Sequence, residues 1–308
     1  MGRFITTNAV VLSVNIELPH LPVTGSAVRA KSATSIPGGG FTTLAVVAAQ
    51  GVSSNLAAPL GTGPNSYTVR RELGSVGVNV LTDVLVGDIG VALVMVQEDG
   101  HTNTVLTPGV ESEPTFGEME SVELHSGDMV LISGADLSSP AAGVLAEWGS
   151  SLPDDVTLVL AVSPAVEDVP YPIWVTLLER ADIITMNIRE SSALTRILEE
   201  GQPGAQIRDM TKPEAALVRR LGVLGCEVQT SEDATPILLP AYPVVRADNA
   251  GVGDTHVATM CASLLQGLGL VEACDRANAA AACMVSRKSA LPVPTPDDID
   301  RVIAAARR

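Results

Sequence analysis

Short runs of β-branched and aliphatic residues recur along the chain, and between several of them lie stretches rich in Ala and Leu. "AVVLSV" (9–14), "VNVLTDVLV" (78–86), "VALVMVQ" (91–97), "MVLIS" (129–133), "VTLVLAV" (156–162) and "ADIITMN" (181–187) read as strands. Runs so uniformly apolar have no face suited to water, so both faces must be covered by helices, as in a parallel sheet. The pattern predicts an α/β fold. "GGGFTTLAVVAAQG" passes from three glycines into an apolar run closed by Gly51, which predicts a buried helix over 39–50.

Two pieces break this rhythm. "NIELPHLPVTGSAVRAKSATSI" has alternating character, two prolines and a turn at "PVTG", while "VALVMVQEDGHTNTVLTPG" alternates across a turn from Glu98 to Gly100. Both predict strands outside the main sheet. After about residue 120 strand and helix alternate regularly, and about the last hundred residues are mostly helical apart from "RRLGVLGCEVQT" and "PILLPAYPVV". No repeat, low-complexity tract or compositional break appears, so 1–308 reads as a single domain.

With 46% hydrophobic residues among 308, a full core is available. The formal charge of -16, from 35 acidic against 19 basic residues, argues against a nucleic-acid partner and is otherwise a solubility device. Cys226, Cys261, Cys274 and Cys283 form no CxxC pair and suggest neither a zinc site nor a disulfide framework. No apolar stretch reaches membrane length and the start lacks a cleavage signal, so the expectation is a cytoplasmic protein with no membrane partner. His20, His101, His125 and His256 are scattered without metal-ligand spacing.

The chemistry concentrates in "DNAGVGDTHVATM", residues 248–260, where Gly251 and Gly253 precede an apolar helical run. Glycines at a helix start let free N–H groups converge, and the helix dipole adds positive charge, which suits an anion such as phosphate. Asp254 beside that spot is either an ordinary N-terminal cap or a base that takes a proton from an attacking hydroxyl. Elsewhere, "NIRE" (187–190) reads equally as a capping box, and Gly222 with Gly225 in "RLGVLGCEV" as a hairpin turn.

Together these segments resemble the ribokinase-like (PfkB) carbohydrate kinase family. Asp248, Gly251, Gly253 and Asp254 match its DTxGAGD-type segment, Asn187 and Glu190 its NxxE motif, and Gly222 and Gly225 its GxxG turn, preceded by Arg220. "ANAAAACMVSRKSALPVPTPDDI", containing Asn278, is similar to the closing stretch beside the adenine site. The resemblance implies a three-layer sandwich with a small β lid built from about 14–36 and 88–112. It implies ATP and magnesium as cofactors, a monovalent cation in some relatives, a small carbohydrate acceptor, and pairing of two chains through the lid. Asp254 would be the base, the amides of Ala250, Gly251, Val252 and Gly253 the anion hole, and Glu190 a magnesium partner through water. Asn187, Arg220, Gly222, Gly225 and Asn278 would lie around the nucleotide.

Departures fall on the acceptor side. Aligned with the family's opening strand, Asn8 stands at a usual glycine and Ser13 at a usual substrate-binding aspartate. In the segment Gly38, Gly39, Gly40 and beyond, Thr42 replaces an asparagine, and in "LVLAVSP" Ala161 replaces an aspartate. Neither serine nor threonine reproduces the charge-assisted grip of a carboxylate or the paired donor and acceptor of an amide. The reading is a kinase with retained chemistry and altered acceptor specificity. Alternatives are a nucleoside kinase, disfavoured because the lid pieces carry no Phe, Tyr or Trp, and a non-catalytic binding protein. "GGGFTT" lacks the GxGxxG spacing of a dehydrogenase. Glu111 and Glu113 read as a solvated edge, His256, Trp148 and Trp174 as packing residues.

Overall fold

Alternation within each strand sends one set of side chains to each face of a nine-stranded sheet. The computed structural model describes residues 2–99 and 101–306, so Gly100 of the expected turn lies outside the described residues. Strands follow the order Ile237–Leu239, Cys226–Gln229, Ala216–Arg220, Ile183–Asn187, Thr157–Ala161, Met129–Ser133, Phe4–Thr6, Ser54–Leu56 and Asn79–Val80. From Ala216–Arg220 to Asn79–Val80 neighbours run parallel, and Cys226–Gln229 and Ile237–Leu239 add an antiparallel edge.

Phe4, Leu131, Val159 and Val218 point to one apolar layer with helices Phe41–Ala49, Val252–Leu265 and Leu270–Val285. Ile5, Ile132, Leu160 and Ile184 point to the other, with helices Ala142–Ser150, Tyr171–Arg180 and Ile188–Gly201. Helix, sheet and helix form a three-layer sandwich, as burial on both sheet faces requires. Trp174 is fully buried and donates Nε1–H to the Val166 carbonyl at 3.2 Å; Trp148 is also buried. Both are packing residues.

A separate sheet of Ser32–Pro37, Leu12–Leu18, Val91–Gln97 and Thr102–Leu106 stands apart from the sandwich. Most of its residues fall in the two segments whose alternation predicted strands outside the main sheet, while residues 12–14 and Val91–Gln97 also belong to apolar runs read as core strands. Two expected strands divide differently. The apolar run 9–14 is not the first core strand; that is Phe4–Thr6, and the chain leaves it at Thr7 to enter the small sheet at Leu12. Likewise 78–86 splits into Asn79–Val80 at the main sheet's edge and Val84–Leu85, which pairs with Leu60–Gly61. Sheet membership depends on the partner, which an apolar run does not name. Among the described residues no helix is long and apolar enough to cross a membrane.

Candidate active site

Parallel strands deliver their C-terminal ends to one edge of the sheet, where ligands of such folds bind. Asn187 and Arg220 occupy the last positions of neighbouring parallel strands and are paired in register. Asn187 caps the helix Ile188–Gly201: its Oδ1 accepts from the Glu190 amide at 2.9 Å, and Glu190 Oε2 accepts from the Asn187 amide at 2.7 Å. Glu190 Oε1 also accepts from Asn187 Nδ2 at 2.6 Å, and Arg220 Nη2 donates to Oε2 at 3.0 Å. The capping box therefore exists, and Arg220 adds a charge to it.

Arg220 also faces the glycine turn, because a Cβ on Gly253 would stand 2.6 Å from its Nη1. Gly251, at φ 69, caps the helix Val252–Leu265 in a left-handed conformation that other residues adopt at a penalty. Asp248 Oδ1 accepts from the Asn249 amide at 2.6 Å and the Ala250 amide at 3.2 Å. This removes Ala250 from the set of free donors, and the Val252 amide reaches only a long 3.4 Å contact with the Asn249 carbonyl. Among the described residues nothing accepts from the amides of Gly251, Gly253 and Asp254. Orphan donors at a helix N-terminus are suited to hold an anion.

Asp254 lies in the first turn of this helix. Burial pushes its carboxyl above the usual range, and Arg220 opposes that shift. Burial raises Glu190 as well, against Arg220 and the Asn187 amide. Three of the four lone-pair positions on the Glu190 carboxylate are occupied, leaving Oε1 one further acceptor position. That fits a single metal-bound water rather than direct coordination. No group of three His, Cys, Asp or Glu among the described residues could hold a metal ion.

Of the residues expected on the acceptor side, Thr42 reaches the same turn. A Cβ on Gly251 would meet Thr42 Cγ2 at 3.1 Å, and one on Gly38 would meet Ser13 Cβ at 3.0 Å. Gly39 and Gly40 pack against the backbone carbonyls of Ala9 and Asn8, where a Cβ would lie 2.2 Å from each oxygen. Ala161 ends its strand in register with Ser133 and Thr185. Gly222 and Gly225 turn the antiparallel hairpin from Ala216–Arg220 to Cys226–Gln229. Asn278 donates to the carbonyls of Leu239 at 3.1 Å and Pro240 at 3.3 Å, tying the edge strand to its helix. His256 is buried in the core.

Two carboxyl groups were missed or misread from sequence. Glu111 is not a solvated edge: it is 7% exposed and its Oε2 accepts from the Gly90 amide at 3.0 Å; Glu113 is exposed. Asp136 follows the C-terminal end of Met129–Ser133, is 8% exposed, and burial pushes its carboxyl up to about 7. Its place just beyond a parallel strand, in "LISGAD", was the available signal. Both line one cavity.

The model of the pfkB family carbohydrate kinases matches residues 6–297. An uncharacterized sugar kinase, YegV of Escherichia coli (strain K12), is 27% identical over 297 residues, covering 94% of this chain and 91% of its own. An ATP-dependent ribose-1-phosphate kinase of Halopiger xanaduensis is 25% identical, covering 97% of each chain. Arabidopsis thaliana ribokinase complexed with ribose and ATP superposes with a TM-score of 0.78 at 21% identity, covering 98% of this chain and 99% of that one.

Proposed function

The chain belongs to the pfkB family of carbohydrate kinases and is an ATP-dependent sugar kinase, and from that premise we propose how its own residues carry out the transfer. Asp254 accepts the proton of an acceptor hydroxyl as that oxygen attacks the γ-phosphorus of ATP. The free amides of Gly251, Gly253 and Asp254 hold the charge that develops on the phosphoryl oxygens, assisted by the helix dipole. Arg220 keeps Asp254 able to ionise despite its burial and holds Glu190 in place. Bound magnesium would offset phosphate charge; Glu190, through its remaining lone pair and a water, and Asn187 are the groups to orient it. The small sheet containing Leu12–Leu18 and Val91–Gln97 acts as a lid that excludes water, and two chains pair through it. A monomer by light scattering at micromolar concentration counts against the pairing.

The observation that carries this reading is Asp254 beside unpaired helix-terminal amides with Arg220 at the same turn. A specific observation favours a second reading: Ser13, Thr42 and Ala161 lack the acceptor-binding groups that the resemblance leads one to expect, as in a binding protein without turnover. ADP release from Mg-ATP across sugars, sugar phosphates and nucleosides, with Asp254→Asn in parallel, separates the two. Acceptor-dependent turnover lost in the variant supports the kinase. Binding without turnover on every acceptor supports the second reading.

A further inference from the structure

A cavity of about 330 Å³, near the lower end of small-molecule sites, opens between residues that follow the main-sheet strands and residues of the small sheet. Thr7, Ala9, Val11, Glu111 and Asp136 line it, and Leu106 of the small sheet also borders it. Contacts connect it to the transfer site. Val11 and Ser13 both pack on Gly38, at 3.7 and 3.0 Å from where its Cβ would be. The helix that follows these glycines sets Thr42 against Gly251.

The chemistry of the lining is specific. Asp136 Oδ1 accepts from the Ala9 amide at 3.1 Å and Oδ2 from Thr7 Oγ1 at 3.4 Å, a long contact that a ligand hydroxyl can replace or join. Glu111 has an Oε2 bond to the Gly90 amide. Among the described lining residues there is no Lys, Arg or His, so nothing there compensates an incoming anion. A phosphate ester entering would be desolvated next to two carboxyl groups with no cation to offset its charge. A hydroxyl instead both donates to and accepts from these groups.

Building on the kinase reading, we propose that this cavity is the acceptor pocket, that it admits an uncharged polyhydroxylated molecule and rejects its phosphate ester, and that Asp136 holds one of the hydroxyls. The charge lost at Ser13 is thereby supplied from another strand end. Asp136 is then a specificity-determining residue of the acceptor pocket.

The test compares matched pairs on the wild-type enzyme: free sugars, polyols and nucleosides against their own phosphate esters, by ADP release. The expected result is turnover of uncharged acceptors, with kcat/KM for each ester lower by about 100-fold or more. An ester preferred to its parent overturns the proposal. Asp136→Asn should raise the acceptor KM about 10-fold while leaving the ATP KM unchanged; an unchanged acceptor KM overturns the role of Asp136. Should no acceptor turn over, the kinase reading fails separately, and thermal shift of the wild-type chain with the same pairs still tests the cavity. Stabilisation by parents and not esters supports it; stabilisation by esters, or by none of the compounds, overturns it. The wild-type pairs decide the selectivity even if the variant does not fold.

Discussion

Gly253 and Arg220 compete for one space: a Cβ on the glycine would stand 2.6 Å from the arginine Nη1, while Nη2 of that arginine bonds Glu190 at 3.0 Å. Gly253→Ala should therefore displace the guanidinium from Glu190. Alanine is the better helix former by about 0.5–1 kcal/mol, but unpairing the buried Glu190 carboxylate costs more, so stability should fall. Activity should fall about 10-fold or more because the charge beside Asp254 is misplaced. Parallel melting curves and kcat/KM check this; full activity would mean that Arg220 has another acceptable position.

Asp254 is the proposed base, and its substitution separates chemistry from binding. Asp254→Asn should lower kcat by about 100-fold to 10,000-fold, the usual contribution of a positioned base. The dissociation constant for ATP should change little. Stopped turnover with calorimetric ATP binding measures both, and equal losses in each would remove Asp254 from the proton transfer.

The pH profile follows from the opposing effects of burial and Arg220 on Asp254. The rate needs the ionised carboxylate, and burial raises its pKa, so the acidic limb should lie above the ordinary aspartate value of about 3.9. Arg220→Gln removes the influence that lowers the pKa, so the limb should move further toward high pH. Movement to lower pH would assign the limb to another group.

Glu190 joins the capping box to the proposed magnesium position. Glu190→Gln keeps the shape but loses the charge that pairs with Arg220, and the KM for Mg-ATP should rise about 10-fold with little change in acceptor KM. Asn187→Ala removes the cap and should lower stability by about 1 kcal/mol. Initial rates against magnesium concentration, with melting temperatures, test both.

Far from this site, Asp128 accepts from the Arg3 amide at 2.9 Å and from Arg3 Nη2 at 2.6 Å. Burial alone would raise its carboxyl, but the bonds from Arg3 and from the His125 amide outweigh it and hold the carboxyl below the usual range. Its stabilisation is therefore present above the unfolded pKa and lost as pH falls through the folded one. Asp128→Asn should cost about 2 kcal/mol at pH 7, and the deficit should shrink in acid. A deficit independent of pH from 7 to the acid limit would contradict the charge argument.

How far the chain discloses its fold varies by element. The helix expected over 39–50 is found at Phe41–Ala49, because a glycine-bounded apolar run states its own limits. The strand expected over 78–86 divides between two sheets, because pairing partners come from distant segments. At the site, Asn187 with Glu190 was legible since a capping box is local. Arg220 bonding Glu190 was not, since the two are separated by thirty positions and meet only through adjacent strands.

By itself, the sequence determined the α/β class, the helix behind the glycines, the GVGD turn with Asp254, and the family resemblance, all of which rest on local spacing. Tertiary structure alone decided that Glu111 is buried and that Asp136 borders a cavity with Val11. Burial and electrostatic environment belong to the packed neighbourhood of a side chain, and residues far apart in the chain make that neighbourhood.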